Sequence, residues 1–521
     1  MTSEHKHWSE QLADRVISEK KEPYSVTSGM TTSGPAHFGT ICEFLFPFTI
    51  SKMLEARGKN VTFYLVGDIL DAFDRIPIPM EKYKEQLEPH LGKPLCDVPD
   101  PTGKSKSFGD YFLDEVRELM KKLNVKCNIL CANDMYAAGQ FDEWAKFYLK
   151  NEEKAKELVE RTSGRQLPKD FSVIMPICEK CGKIATTRVT KHDVDSYEYA
   201  CDKDAKYTKG CGYIGKAKIS DHKYKILWRL HWPAWKQILK TSIEGAGVDH
   251  HTQGGSEDTC KAITLELMKK DYHIPYRYGF ILLEGKKYSK SKGLGIGVSE
   301  LLSLIPPEIL KYLLLRPDLE ENIDINPTPE NLLRAYEEFQ QAGELAKKNI
   351  DELNRADRKK ALAFTLSTDK MNRSAVGDQI SRNHDFSMHW QAAFLDVLLY
   401  YQVYYDWKKV GEALNDSNGV EYLKPYVEEW LKRSFVPEDY NFKYQPKKAE
   451  GKVHDFISQL NEKMDALAIH NAVFEFAKSN GIEPKEFFKQ LYQTLIGKDR
   501  GPRLGKLIFA LGVERLKKDL L

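Results

Sequence analysis

The sequence predicts an α/β chain in which a Rossmann-type nucleotide-binding sheet is interrupted by a zinc knuckle and followed by an all-α region. Three observations lead there. Residues 24–66 read as strand, Gly/Pro-rich turn, helix and strand. Four cysteines fall at ligand spacing between residues 178 and 211. From about residue 299 the apolar residues recur at helical spacing, with few strand patterns among them.

Residues 24–28 (Tyr-Ser-Val-Thr-Ser) suit a short strand, and residues 29–36 are rich in Gly, Pro, Ser and Thr. From His37 an apolar stretch runs to about Arg57, where Gly58 stops it, and residues 61–66 (Val-Thr-Phe-Tyr-Leu-Val) suit a buried parallel strand. Such a βαβ unit binds nucleotides where the strand ends and the helix begins, because the helix's first N–H groups have no partners of their own.

Two short strings read together as halves of one ATP-phosphate site: Pro35-Ala36-His37-Phe38-Gly39-Thr40 and, much later, Lys287-Tyr288-Ser289-Lys290-Ser291. The chemistry calls for donors and cations against phosphate oxygens. His37 can donate a ring N–H, and Gly39 lets the backbone come close. Lys287 and Lys290 can neutralise a leaving pyrophosphate, and Ser289 and Ser291 add hydroxyl donors.

Cys178 and Cys181 form a CxxC turn, a gap of 19 residues leads to Cys201, and nine residues separate Cys201 from Cys211. Four thiolates at this spacing read as a tetrahedral Zn²⁺ site. The other five cysteines, Cys42, Cys96, Cys127, Cys131 and Cys260, read as packing residues. No disulfide is expected.

Residues 243–249 lead into His250-His251 and Gly254-Gly255, after which a helical pattern runs from Ser256 to about Lys270. Neighbouring histidines diverge on a strand, so His250 reads as a nucleotide or substrate contact rather than a metal ligand. Residues 278–283 read as the last strand, delivering the lysine-bearing loop, whose Gly293, Gly295 and Gly297 would allow closure over ATP. In the rear third, the clearest helical patterns cover residues 391–412, 452–480 and 484–497.

No apolar run is long enough to span a bilayer, and a cytosolic location is expected. The net charge of +2 does not mark a nucleic-acid binder; residues 331–521 carry +2 and residues 1–330 carry 0. RNA contact would need local patches such as Lys359-Lys360 or residues 515–518.

The chain resembles the class I aminoacyl-tRNA synthetases, with residues 35–40 matching their HIGH box and residues 287–291 their KMSKS box. Thr40 stands where that box ends in histidine. The strings at residues 27–39, 247–255 and 501–505 are similar to class I lysyl-tRNA synthetases. The resemblance implies a first catalytic half at 1–170, a zinc-binding insertion at 171–218, a second catalytic half at 219–298, a helical linker at 299–345 and an α-helical anticodon-binding domain at 346–521. It implies ATP contacts at Pro35, His37, Gly39, Asp249, Gly254, Gly255 and the KMSKS-like residues, with Asp249 on the ribose. It also implies an amino-acid pocket at Gly29 and Thr31, with Trp228 or Trp232 and Tyr276 or Tyr278 as aromatic walls. The expected partners are ATP with Mg²⁺, L-lysine and tRNA(Lys), with neither DNA nor membrane, and the protein is expected to be a monomer.

No arginine lies between Arg15 and Arg57, which disfavours a glutamate substrate and so the glutamyl alternative. A nucleotidyltransferase would share the phosphate motifs but not need the knuckle and helical rear. An RNA-binding protein without catalysis would not need His37, Lys287 and Lys290. Related enzymes carry a further metal segment of the form Pro-Asp-Pro-x-Gly, here at residues 99–103; no histidine follows it before His192, so no second zinc is expected.

Overall fold

The computed structural model describes residues 6–283, 285–287, 297–349, 352–368 and 389–521. Two compact units emerge, one of residues Met1–Ser299, Lys311–Asn326 and Lys348–His384, the other of Glu300–Leu310, Pro327–Lys347 and Asp385–Leu521.

The first unit is built on a five-stranded parallel sheet. Its strands, in chain order, are β1 (Tyr24–Met30), β2 (Val61–Gly67), β3 (Asn128–Cys131), β4 (Ile243–Gly247) and β5 (Ile274–Tyr278). They lie in the order β5-β4-β1-β2-β3. The chain moves outward from β1 to one side and then restarts at β4 on the other, so a crevice opens between β1 and β4 at the strands' carboxyl ends. Helix α1 (Trp8–Glu19) precedes β1, α2 (Phe38–Ala56) connects β1 to β2, and α3 (Phe108–Lys122) lies between β2 and β3. Helix α4 (Trp228–Ile238) leads into β4, and α5 (Ser256–Ala262) follows it.

The expected strand at 278–283 is divided. Tyr278 ends β5 of the main sheet, while Ile281–Leu283 pairs with Lys286–Lys287 and Ile323–Ile325 in a separate sheet. Gly279 sits at the break with its Cα against the Glu321 carbonyl, which a Cβ would approach to 2.4 Å. The helical pattern from Ser256 runs as α5 and then a single wide turn, Ile263–Leu267.

The insertion between β3 and β4 carries its own three-stranded antiparallel sheet, Arg188–His192, Ser196–Ala200 and Ile214–Lys218. Its entry and exit strands, Ile174–Pro176 and Tyr224–Ile226, pair with each other. Buried Tyr197, Tyr199 and Tyr224 share one core with Trp232 and Trp235 of α4.

Apart from the short segment Glu300–Leu310, the described part of the second unit starts with helix Pro329–Ala346, capped by the Thr328 hydroxyl with Pro329 at its first position. It continues through eight further helices from Phe394 to Leu520. The expected helix at 391–412 breaks where Tyr405 takes a left-handed conformation and Asp406 caps the next helix. The one at 452–480 divides into Gly451–Gln459 and Ala466–Ser479. Gly505 lets two helices cross closely: a Cβ there would lie 2.1 Å from the Ala466 carbonyl oxygen.

Candidate active site

The crevice between β1 and β4 holds a cleft of about 520 Å³. The turn after β1 supplies Thr31, Thr32 and Gly34, and α2 supplies His37, Gly39, Thr40 and Glu43. Gly247, Val248, Asp249 and His250 come from the end of β4, with Tyr278 and Gly279 from the end of β5. Sequence-distant segments therefore converge because the strand order places their ends side by side.

His37 is the N-cap of α2. Its Nδ1 accepts the Thr40 backbone N–H at 3.1 Å, and the Thr40 hydroxyl accepts the His37 N–H at 3.1 Å. This reciprocal cap satisfies two helix-end donors and fixes the ring. An imidazole that accepts at Nδ1 carries its proton on Nε2 when neutral, so the second nitrogen is a donor. Gly39 is required by the same arrangement, since a Cβ would lie 2.9 Å from Cε1 of the His37 ring. Thr40, which breaks the usual form of the box, has a local purpose as the other half of the cap.

Gly29 abuts an aromatic floor: a Cβ there would meet Cη2 of Trp235 at 2.4 Å. Trp228 lines the cleft and stacks on Trp232 at 5.5 Å. His250 also faces the cleft, 5.7 Å from the Trp232 ring, and burial pushes its imidazole below the ordinary value.

Several expected site residues lie elsewhere. Pro35 is not among the lining residues, although its neighbours Gly34 and Ala36 are. Tyr276 is buried over Gly245, where a Cβ would lie 2.1 Å from its ring, and Tyr278 is the tyrosine that reaches the cleft. Gly254 and Gly255 do not line it either. Arg229 clamps both their carbonyls at 3.0 Å, Gly254 has φ +78°, and a Cβ on Gly255 would lie 2.3 Å from the His250 carbonyl oxygen. Their glycine character serves the turn into α5. The side chain of Lys287, and Ser289, Lys290 and Ser291, lie outside the described residues.

Two further carboxylates, Glu43 and Asp71, line the cleft. Glu43 accepts the Ser28 hydroxyl at 3.2 Å and the Tyr278 hydroxyl. Its signal was available: it is the one charged side chain in the first 14 residues of an otherwise apolar helix. Asp71 accepts the Thr31 hydroxyl at 2.7 Å and an ammonium hydrogen of Lys225. Nothing local marks either of those two partners.

The four cysteine sulfurs lie within 4.8 Å of one another, with Cys178–Cys211 and Cys181–Cys201 both at 3.7 Å. Zn–S bonds of about 2.3 Å set tetrahedral S···S edges near 3.8 Å, so the donor set fits Zn²⁺. Gly182 (φ +74°) tightens the CxxC turn, and the nine-residue gap is a small hairpin, Asp204–Ala205 with Thr208–Lys209. Among the described residues this is the only such group of three or more ligands. Asp100, in the segment considered for a second metal, is occupied by the backbone N–H groups of Thr102, Lys104 and Ser105 at 2.8–2.9 Å.

Residues 6–370 match the family described as tRNA synthetases class I (K). The chain belongs to that family. Similar proteins include the lysine–tRNA ligase of Thermoplasma acidophilum, 28% identical over 98% of this chain and 97% of that one. That of Thermoplasma volcanium is 30% identical over 98% and 99%, and that of Methanocaldococcus jannaschii 30% over 97% and 98%. Among solved structures, a glutamate-tRNA synthetase from Elizabethkingia anophelis is similar at 12% identity with a TM-score of 0.41, covering 96% of this chain and all of that one.

Proposed function

We propose that this synthetase activates L-lysine with ATP and joins it to the 3′ end of tRNA(Lys). One observation carries the choice of amino acid: the cleft is lined by Glu43, Asp71 and Asp249 and by no arginine or lysine among the described residues. A cationic substrate is complementary to that lining and a second carboxylate is not.

In the first step a lysine carboxylate oxygen bonds to the α-phosphorus, the bond to pyrophosphate breaks, and lysyl-adenylate forms. In the second, the 2′-hydroxyl of the terminal adenosine attacks the acyl carbon, gives up its proton, and AMP leaves. The Nε2–H of His37 donates to the phosphates, Asp249 holds the ribose, and Lys287 and Lys290 neutralise the pyrophosphate. Mg²⁺ bound with ATP supplies further charge neutralisation on the phosphate oxygens. Glu43, oriented by Ser28 and Tyr278, receives the side-chain ammonium, and Trp228 covers the methylenes. Zn²⁺ on the four cysteines cross-links the insertion.

The helical second unit binds the anticodon. The basic patches at its disposal are smaller than their sequence suggests, because Arg515 pairs with Asp519 and Lys517 donates to the Ser458 carbonyl. Lys359, in the first unit, pairs with Asp318 at 2.9 Å. No helix among the described residues is long and apolar enough to cross a membrane; the enzyme acts in the cytoplasm as a monomer. The test is pyrophosphate exchange with and without tRNA. Lysine should support exchange in the presence of tRNA(Lys), and glutamate supporting it better would overturn the reading.

A further inference from the structure

Trp228 and Arg229 are the first two residues of α4, and both reach across to the start of α5. The Trp228 indole N–H donates to the Ser256 hydroxyl at 3.3 Å. Arg229 makes three bonds. Its Nη1 donates to the Gly255 carbonyl at 3.0 Å and to the Thr259 hydroxyl at 2.6 Å, and its Nη2 donates to the Gly254 carbonyl at 3.0 Å. All three acceptors are neutral. Burial and the neighbouring Arg165 guanidinium work against the charge of Arg229, and Asp258 favours it.

The shape of the side chain explains why a cation is used on neutral oxygens. A planar guanidinium presents two nitrogens in a fixed fork, so it can hold the carbonyls of two consecutive residues in one geometry, which the single ammonium of a lysine cannot do. Gly254 is also held from its other side, where its N–H donates to the Asp258 carboxylate at 3.0 Å. The glycine turn is therefore clamped by side chains on both α4 and α5.

That turn is the far end of the loop, residues 248–255, that joins β4 to α5 and carries Asp249 into the cleft. Three hydrogen bonds run without a break from Arg229 to the Asp249 backbone. Arg229 holds the Gly255 carbonyl, the Gly255 N–H donates to the Thr252 carbonyl at 2.7 Å, and the Thr252 hydroxyl donates to the Asp249 carbonyl at 3.0 Å. Arg229 does not itself line the cleft, so whatever it does for a ligand there it does through this loop.

We infer that Arg229 is a positioning residue for ATP, setting through Gly255 and Thr252 the backbone from which Asp249 reaches the ribose. The inference rests on the role given to Asp249 above. Equilibrium dialysis with labelled ATP and Mg²⁺ tests it without reference to the amino acid. Arg229→Lys keeps the charge but loses the fork, and should raise the ATP dissociation constant about tenfold while the KM for lysine stays within about twofold. Thr252→Val breaks the same relay at an exposed position, which keeps the test available if Arg229→Lys does not fold; it should weaken ATP likewise, and Thr252→Ser should restore it. Ser256→Ala disturbs the start of α5 on the Trp228 side and should leave ATP within about twofold. The deciding comparison is the double variant. If Arg229 acts through Asp249, Arg229→Lys should add less than about twofold in an Asp249→Asn background, whereas independent effects would multiply. Multiplying effects, equal weakening by Ser256→Ala, or an unchanged ATP constant in Arg229→Lys would overturn the assignment. Unchanged ATP affinity in Asp249→Asn would overturn the ribose role and the assignment with it. A wild-type enzyme that charges glutamate in preference to lysine would overturn only the lysine reading, with the ATP constants still deciding the role of Arg229.

Discussion

Lys225 and Lys236 are both buried cations of the same core, yet they are connected differently. The network of Lys225 ends on Asp71, partly exposed in the cleft. That of Lys236 is closed. Its ammonium bonds to His273 Nε2 at 2.9 Å, lies 3.9 and 3.8 Å from Glu244 and Glu257, and sits 3.8 Å over the Trp232 ring. Glu244 accepts the Trp232 indole N–H at 2.6 Å and also bonds Thr27, while Glu257 accepts the Tyr272 hydroxyl. Neither carboxylate is more than 10% exposed. Both networks incur the desolvation of buried charge, but only the open one reaches the cleft. The closed one ties β1, β4, α4, α5 and the segment leading into β5 together.

The sharpest way to break this contrast is Lys236→Met. It leaves two buried carboxylates unpaired, and urea unfolding should show a loss of about 3–5 kcal/mol, with the KM for lysine of the folded enzyme within about twofold of wild type. A KM effect larger than the stability effect would mean that the closed network also acts on the substrate. Glu43→Gln should invert the pattern, lowering kcat/KM for lysine by roughly 10- to 100-fold, with unfolding little changed.

The two networks should also separate in pH. Burial works against the charge of Glu257, but Lys236 and the donors around it hold its pKa below the ordinary carboxylate range. A depressed carboxylate contributes stability that is present above its unfolded pKa, about 4.3, and lost as pH falls further. Unfolding free energy should therefore decline steeply below about pH 4 in the wild type and more gently in Lys236→Met. Burial works against the charge of Lys236, but Cys260, Glu244 and Glu257 hold its pKa above the ordinary value, so its share is lost only as pH rises beyond about 10.5. The smallest effect is expected at the phosphate end. Thr40→Val removes the acceptor for the His37 N–H, which should cost about 1 kcal/mol in transition-state stabilisation with ATP, and Thr40→Ser should restore it. An unchanged ATP dependence in Thr40→Val would show that the cap is not needed to hold His37.

The features legible in the sequence are those whose chemistry is local. A β-branched run before a Gly/Pro turn and an apolar stretch makes a βαβ unit wherever it occurs. His37, Gly39 and Thr40 form one helix cap within four residues, and a CxxC turn needs only its own glycine to point two thiols together. The helical rear third declared itself by period, though Tyr405 and Asp406 divide one helix in a way no periodicity marks. By contrast, Gly254 and Gly255 carry the same composition whether they cradle a nucleotide or turn a chain into a helix, and nothing in the sequence pairs their carbonyls with Arg229. Tyr276 and Tyr278 differ by two residues on one strand, and the end of β5, not the sequence, selects which one reaches Glu43.

The sequence by itself determined the nucleotide crevice, the four-thiol site and an arginine-free first loop, because each follows from neighbours along the chain. Only the tertiary structure decided which charges line the cleft. Asp71 and Lys225 are 154 residues apart, and Glu43 and Tyr278 are 235 apart. What makes them partners is the strand order β5-β4-β1-β2-β3 and the insertion that returns Lys225 to the loop after β2. A buried carboxylate acquires its role from what remains unpaired around it, and pairing of that kind exists only once the chain has folded.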